Sequence, residues 1–445
     1  PKGICGADAD TIVARNLLRA VAAGSGCYIH VIENTARNLK AMGEAKAPVK
    51  GERALERVAK LFGVDGVDNH EKAVNIAKAV LADLYLPRDE TMKLTAKLAY
   101  APRYALWEKL GLLPGGAKSE VFDGVVKSST NLNSDPVNML FHCLTLGIST
   151  GLYGLTMVNL LNDIMLGEPV IRAAAVGFKT IDPKYINIMI TGHQHSSFTD
   201  LQERLVRPDV RARAREAGAE GFRFVGCTCV GQDLQLRGEH YQEVFTGHAG
   251  NNFTSEAVLA TGAIDLVVSE FNCTLPGLEP IADRLGVKMI CIDDVAKKAN
   301  AEYAPYSFVN GGEVSEKVIA SALDAYRSRR GSVSINVPAD HGNDDTITGV
   351  SEVSLKEFLG GSWKPLVDLI AAGDVRGVVG VVGCSSMVSG GHDVLTVELV
   401  RELIKRDIIV LSAGCSSGGI ENVGLMRPSA AQFAGPRLRA VCEKL

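Results

Sequence analysis

Five apolar, β-branched runs in this chain each end on a His or a Cys, and this constrains the fold more than any other feature. INIMITGHQH carries His193 and His195, FRFVGCTC carries Cys227 and Cys229, AIDLVVSEFNC ends on Cys273, GVVGVVGC on Cys384 and IIVLSAGC on Cys415. Runs of this kind read as strands of a parallel sheet buried on both faces. In open α/β sheets ligands gather in the crevice beyond the carboxyl ends of the strands. Five strand ends that each deliver a thiol or an imidazole therefore predict a shared metal site assembled from distant parts of the sequence.

Ten cysteines in 445 residues, with no signal-peptide pattern, argue for metal or redox chemistry in a reducing compartment rather than a disulfide framework. Cys143, Cys291 and Cys442 lie in apolar stretches and read as small core residues. A hydrophobic fraction of 46% supports a large core divided over two or three domains. The net charge of −4, with both signs interspersed, leaves no basic stripe to follow a phosphate backbone, so nucleic acid is excluded as a partner. No run reaches the roughly 18 uninterrupted apolar residues of a membrane span, and the protein is expected to be cytoplasmic. Walker A and GxGxxG motifs and CxxC pairs are absent from the sequence, leaving no motif support for a nucleotide cofactor or a compact zinc site.

The fold class expected is α/β. Residues 1–170 read as a helical domain, with Asp8 or Asp10 capping a first helix that Gly24 can end, and further amphipathic helices near 52–62, 70–85, 89–100 and 136–165. Residues 171–345 read as an α/β domain with a parallel sheet covered on both faces and strands near 186–191, 222–226, 264–269, 287–292 and 332–337. Residues 346–445 read as a second α/β domain with strands near 377–382 and 408–413, incomplete at its end, and VPADHGNDDTITGVS reads as the linker between the two. Pro1 without an initiator Met, Cys5 close behind it, and a helical stripe running to Leu445 without a C-cap point to a piece of a longer protein.

Cys384 and Cys415 both stand in Gly-Cys-Ser-Ser after a strand, one βαβ unit apart, so winding can set their thiols side by side, and the following Ser can donate to a cluster sulfide. In Cys-Thr-Cys only one thiol is expected to face the crevice, with Cys229 favoured; of His193 and His195, one is a ligand candidate and the other a neighbour. Cys273 stands before Thr-Leu-Pro at a sharp strand exit. His240, His248 and His392 read as structural or exposed.

KGICGADADTIVARNLLRAVAAG, NSDPVNMLF, DPKYINIMITGHQH, GCTCVGQDLQLR, TGAIDLVV with NCTLP, VVGCSS with LVRELIKRDIIVLSAGCSS, and AAQFAGPRLRAVCEKL occur in an order that resembles the catalytic subunit of anaerobic nickel-iron carbon monoxide dehydrogenases. These share a superfamily with hybrid-cluster proteins. The resemblance implies a homodimer with a helical N-terminal domain and two Rossmann-like domains, a Ni-Fe-S active-site cluster, and a ferredoxin-like electron carrier. Its small gaseous substrate would be interconverted as CO plus water with CO2, two protons and two electrons. It assigns cluster ligation to His195, Cys229, Cys273, Cys384 and Cys415, and makes Cys5 a ligand of a [4Fe-4S] electron-transfer cluster whose other cysteines would precede Pro1. A fifth thiolate and a catalytic lysine would follow Leu445.

The chain also departs from that family. Where a histidine array is expected after the first AAG, it has SGCYIHVIENTARNLK, with Tyr28 at the first histidine position and His30 as the surviving candidate for proton transfer. His195-Ser196-Ser197 replaces His-Asn-Pro, and the loop with His240 and His248 is longer than expected. These changes leave two other readings: a nickel-free, hybrid-cluster-like reductase of small N–O substrates such as hydroxylamine, and a non-catalytic Fe-S electron-transfer protein.

Overall fold

A computed structural model describes residues 5–129, 133–237, 243–270, 272–329, 331–384 and 391–444, which divide into two compact units, Pro1–Glu168 and Pro169–Leu445. The first unit is helical. Its opening helix, Ala9–Glu44, is capped by Asp8, whose carboxylate accepts from the Thr11 backbone N–H at 2.8 Å. Gly24 does not end it. The buried stripe continues through Ser25, Ile29, Ile32, Ala36 and Leu39, and packing that face outweighs the ~1 kcal/mol cost of a helical glycine. Helices Glu52–Phe62 and Asn69–Leu84 form where the periodicity places them. The segment near 89–100 is helical only over Thr95–Leu98. There the buried Asp83 carboxylate accepts from the Lys93 and Leu94 N–H groups at 2.9 and 2.8 Å, pinning the chain as a loop. The stretch Pro136–Leu166 is helical throughout, including a π turn at Ile148–Gly154, and half of its most apolar window is buried in the unit. Length and apolarity alone would let it cross a membrane, but its buried residues, among them Met139, Leu146, Tyr153 and Leu161, mark it as a core helix.

The second unit holds a sheet of eight strands: β1 Arg172–Val176, β2 Ile186–Thr191, β3 Phe222–Cys227, β4 Gly247–Gly250, β5 Leu266–Ser269, β6 Lys288–Cys291, β7 Ala301–Tyr303 and β8 Asn343–Thr348. Their order is β7-β6-β5-β2-β3-β4-β1-β8, parallel throughout except for β8. Ile188 and Ile190 face one buried cluster with Phe222, Phe224 and Leu266, while Met189, Val225 and Val267 face the other. Both faces are therefore core, which is why these runs lack polar alternation. The order reverses at β2: β3 and β4 extend to one side, and β5, β6 and β7 restart on the other. That is a topological switch point, where a crevice opens.

Four expectations for this unit need correction. The segment near 332–337 is not a strand; it makes an isolated backbone bond, Asn336 to the Thr261 carbonyl at 2.9 Å, and Pro338 follows. The stretch read as linker contains β8, paired antiparallel with β1. The loop around His248 contains β4, fully buried, and its sequence Gly-His-Ala-Gly hides it because a Cβ on Gly247 would lie 1.7 Å from the Ala175 carbonyl oxygen. β9, Gly377–Val382, and β10, Ile408–Ala413, form a separate parallel pair in register from Gly377 opposite Ile408 to Val382 opposite Ala413, with helix Val394–Ile404 between them in sequence. Cys442 is exposed, its helix burying Leu438 instead.

Candidate metal centre

Because β2, β3 and β5 are parallel neighbours, the residues just past Thr191, Cys227 and Ser269 emerge at the same edge. The exits are tied together. The Thr191 and Thr274 hydroxyls lie 2.6 Å apart. Thr228, at φ +58°, accepts from the Gly192 N–H at 2.9 Å and donates to the Gly192 carbonyl at 3.1 Å. A β-branched residue in the left-handed region is strained, and such strain concentrates at functional sites. Cys273 adopts φ +56° beside it. Gly192 is required at φ +137°, since a Cβ there would fall 1.9 Å from the Glu270 side chain.

Cys229 opens the helix Thr228–Arg237, and Cys415 the helix Cys415–Asn422. The Cys229 thiol neighbours those of Cys273 and Cys415. Those two neighbours hold its proton and push its pKa well up; Cys229 in turn leads the causes that pull Cys273 down to about 5, and Cys415 is likewise lowered. His193 neighbours Cys273; burial opposes its ionisation, but the negative sulfur prevails and raises its pKa. Cys415 Sγ also accepts from the Asn252 backbone N–H at 3.3 Å. Cys384 lies at the exposed end of β9, its thiol raised by burial and by the charges of Cys273 and Cys415. Cys227 instead points into the core beneath β3, and burial pushes its thiol far up.

The β9 and β10 ends meet through glycines. Gly414, at φ +79°, would place a Cβ 2.9 Å from the Gly383 carbonyl oxygen. That carbonyl accepts from the Ser416 backbone at 3.0 Å and hydroxyl at 3.2 Å. Ser416 is thereby committed to the turn and not to a sulfide, while Ser385 lies outside the described residues.

His195 is buried, with Nδ1 2.9 Å from Asp233 Oδ2; the same oxygen accepts from Arg237 Nε at 3.0 Å. Burial would raise the Asp233 carboxyl, but Arg237 and then His195 hold it well below the usual carboxylate range. Asp233 received no role from the sequence, although its place four residues after Cys229 was a usable signal. Nor did Asn251 or Glu421. Asn251 Nδ2 bonds Asp393 Oδ2 at 2.9 Å and the Cys415 carbonyl at 3.2 Å. Glu421 pairs with the buried His248, and His392 Nδ1 lies 2.7 Å from Asp393. His240 falls outside the described residues. Cys5 and His30 belong to the first unit. Cys5 is exposed before the first helix, its thiol lowered chiefly by a backbone bond at Ala7, and His30 is half-buried on that helix.

The donor set fits an iron-sulfur cluster. Neighbouring thiols that share protons in a site of low polarity favour a multivalent cation carrying several thiolates, and a carboxylate-held imidazole is the usual outer support of a metal-bound histidine.

Comparison with known proteins agrees with this chemistry. Residues 1–441 match the Prismane/CO dehydrogenase family. A carbon monoxide dehydrogenase of Methanocaldococcus jannaschii is 47% identical over 100% of this chain and 71% of its own length. One from Methanopyrus kandleri is 44% identical over 100% and 70%. A nickel-free crystal structure of the carbon monoxide dehydrogenase from Thermococcus sp. AM4 superposes with a TM-score of 0.92 at 29% identity, covering 100% of this chain and 69% of that one.

Proposed function

The chain belongs to the Prismane/CO dehydrogenase family, and from that premise we propose how it carries out the activity, the interconversion of CO and water with CO2, two protons and two electrons. The protein is an iron-sulfur oxidoreductase. Its cluster ligands are His195, Cys229, Cys273, Cys384 and Cys415, and the observation that supports this most is the convergence of Cys229, Cys273 and Cys415 from three different strand ends. The cluster is of the Ni-Fe-S type, which when bound supplies a Lewis-acidic nickel for the carbon, an iron for the water-derived oxygen, and storage for electrons. Relatives at 47% and 44% identity that are carbon monoxide dehydrogenases favour this over a hydroxylamine reductase or a passive electron carrier.

The chain's own residues hold charge and protons. The thiolates set the potential of the site. The buried strands β2, β3 and β5 give the strand ends a rigid base. His193, in contact with Cys273, is placed to accept a proton released there. Cys5 as ligand of a second, [4Fe-4S] cluster and His30 as a proton carrier rest on the resemblance alone. Cys5's exposure suits electron delivery to a ferredoxin-like carrier.

Within the second unit, 171–345 and 346–445 are two Rossmann-like domains, the eight-stranded sheet reaching just past the boundary through β8. The protein is a homodimer, and support comes from the first unit, where Val13, Phe122, Val137 and Leu144 are 66, 68, 58 and 54% exposed. A thiolate-held cluster suits the reducing cytoplasm. Anaerobic metal analysis with a CO-dependent viologen assay tests the reading: nickel with iron and CO turnover support it, and iron without nickel or CO turnover refutes it.

A further inference from the structure

The helix Thr228–Arg237 grips the histidine-bearing loop at two points. At its first residue the Thr228 hydroxyl is bonded to both backbone groups of Gly192, three residues before His195. One turn beyond Cys229, the Asp233 carboxylate meets His195 Nδ1 at 2.9 Å. Cys229 and Asp233 are spaced i, i+4 and so share a face of this helix. The element that delivers a thiol therefore also sets the imidazole. Asp233 does more than neutralise Arg237, because its Oδ2 serves both the guanidinium at 3.0 Å and the ring nitrogen. Arg237 is itself only 5% exposed and anchors the carboxylate in place. An imidazole that donates from Nδ1 to a carboxylate carries its lone pair on Nε2 and is a better base there.

We propose that Asp233, braced by Arg237, is the positioning residue that fixes the His195 ring with its proton on Nδ1 and its Nε2 lone pair committed to the cluster. The proposal deepens the function above and rests on His195 being a cluster ligand. It is tested in the anaerobically purified complete enzyme, with 15N-labelled histidine and pulsed EPR of the reduced cluster, alongside iron retention against a chelator. Wild-type enzyme is expected to show an imidazole nitrogen coupling that disappears in His195→Ala. In Asp233→Asn that coupling shifts and metal retention falls about 10–100-fold. Asp233→Glu keeps the charge and recovers part of the retention, with a coupling still displaced from wild type. If Asp233→Asn does not fold, Asp233→Glu decides alone, by whether its coupling moves. Coupling and retention unchanged in the folded variants overturn the positioning role while leaving His195 as ligand. A wild-type coupling that survives in His195→Ala overturns the ligand assignment and the proposal together.

Discussion

Replacing Thr228 with Val isolates the clip between two strand ends. Val has the same shape and the same β-branch, so the strain at φ +58° is unchanged and only the hydroxyl is lost. Gly192 keeps a partner for its carbonyl, which also accepts from the Val230 N–H at 2.9 Å. Its own N–H, however, is bonded to the Thr228 hydroxyl at 2.9 Å and would be left buried. An orphaned buried donor costs about 1–3 kcal/mol. At roughly 2–4 °C per kcal/mol for a unit of this size, the melting temperature should fall by about 2–12 °C. Thr228→Ser keeps the hydroxyl and relieves the branch, so it should melt at or above wild type. Differential scanning calorimetry on both variants, with iron counted in each, makes the check. A Thr228→Val enzyme that melts with wild type and holds its full iron refutes the claim that this clip registers the histidine loop.

Gly192→Ala forces a Cβ to 1.9 Å from the Glu270 side chain at φ +137°; a loss above ~3 kcal/mol is expected from strain and overpacking, read as loss of soluble, iron-loaded protein. Asp265 is raised by burial to about 7, so the folded chain keeps a proton that the unfolded chain gives up from about 3.8. Stability from this group is therefore full below the unfolded value and declines as pH climbs through about 7. Asp265→Asn should flatten that decline in melting curves taken across the interval, and an unchanged slope would remove Asp265 as its source. Glu421→Leu deprives the buried His248 Nδ1 of its partner and should cost about 1–3 kcal/mol by calorimetry.

The central strands were legible because burial on both faces leaves continuous Val and Ile runs, and the strand-end rule then pointed to Cys229, Cys273 and Cys415, which the fold brings together. β4 was not legible: Gly247 and Gly250 serve close backbone approach, so the strand carries no apolar pattern. Gly24 misled in the opposite direction, because a local breaker signal was overridden by packing along the first helix. The supporting shell was harder still. Asp233 and Glu421 look like ordinary helical acids in sequence, and only tertiary placement sets one against His195 and the other against His248, 173 residues away. Outer-shell partners are recognised by distance, which one-dimensional spacing does not encode.

The most direct test of the whole account removes one thiol from the group at these strand ends. Cys273→Ala, purified anaerobically and compared with wild type for iron, nickel and CO-dependent viologen reduction, should lose cluster metal and CO turnover together while keeping its fold by circular dichroism. Full metal content with undiminished CO turnover in that variant would contradict the assignment of these strand ends as the metal centre.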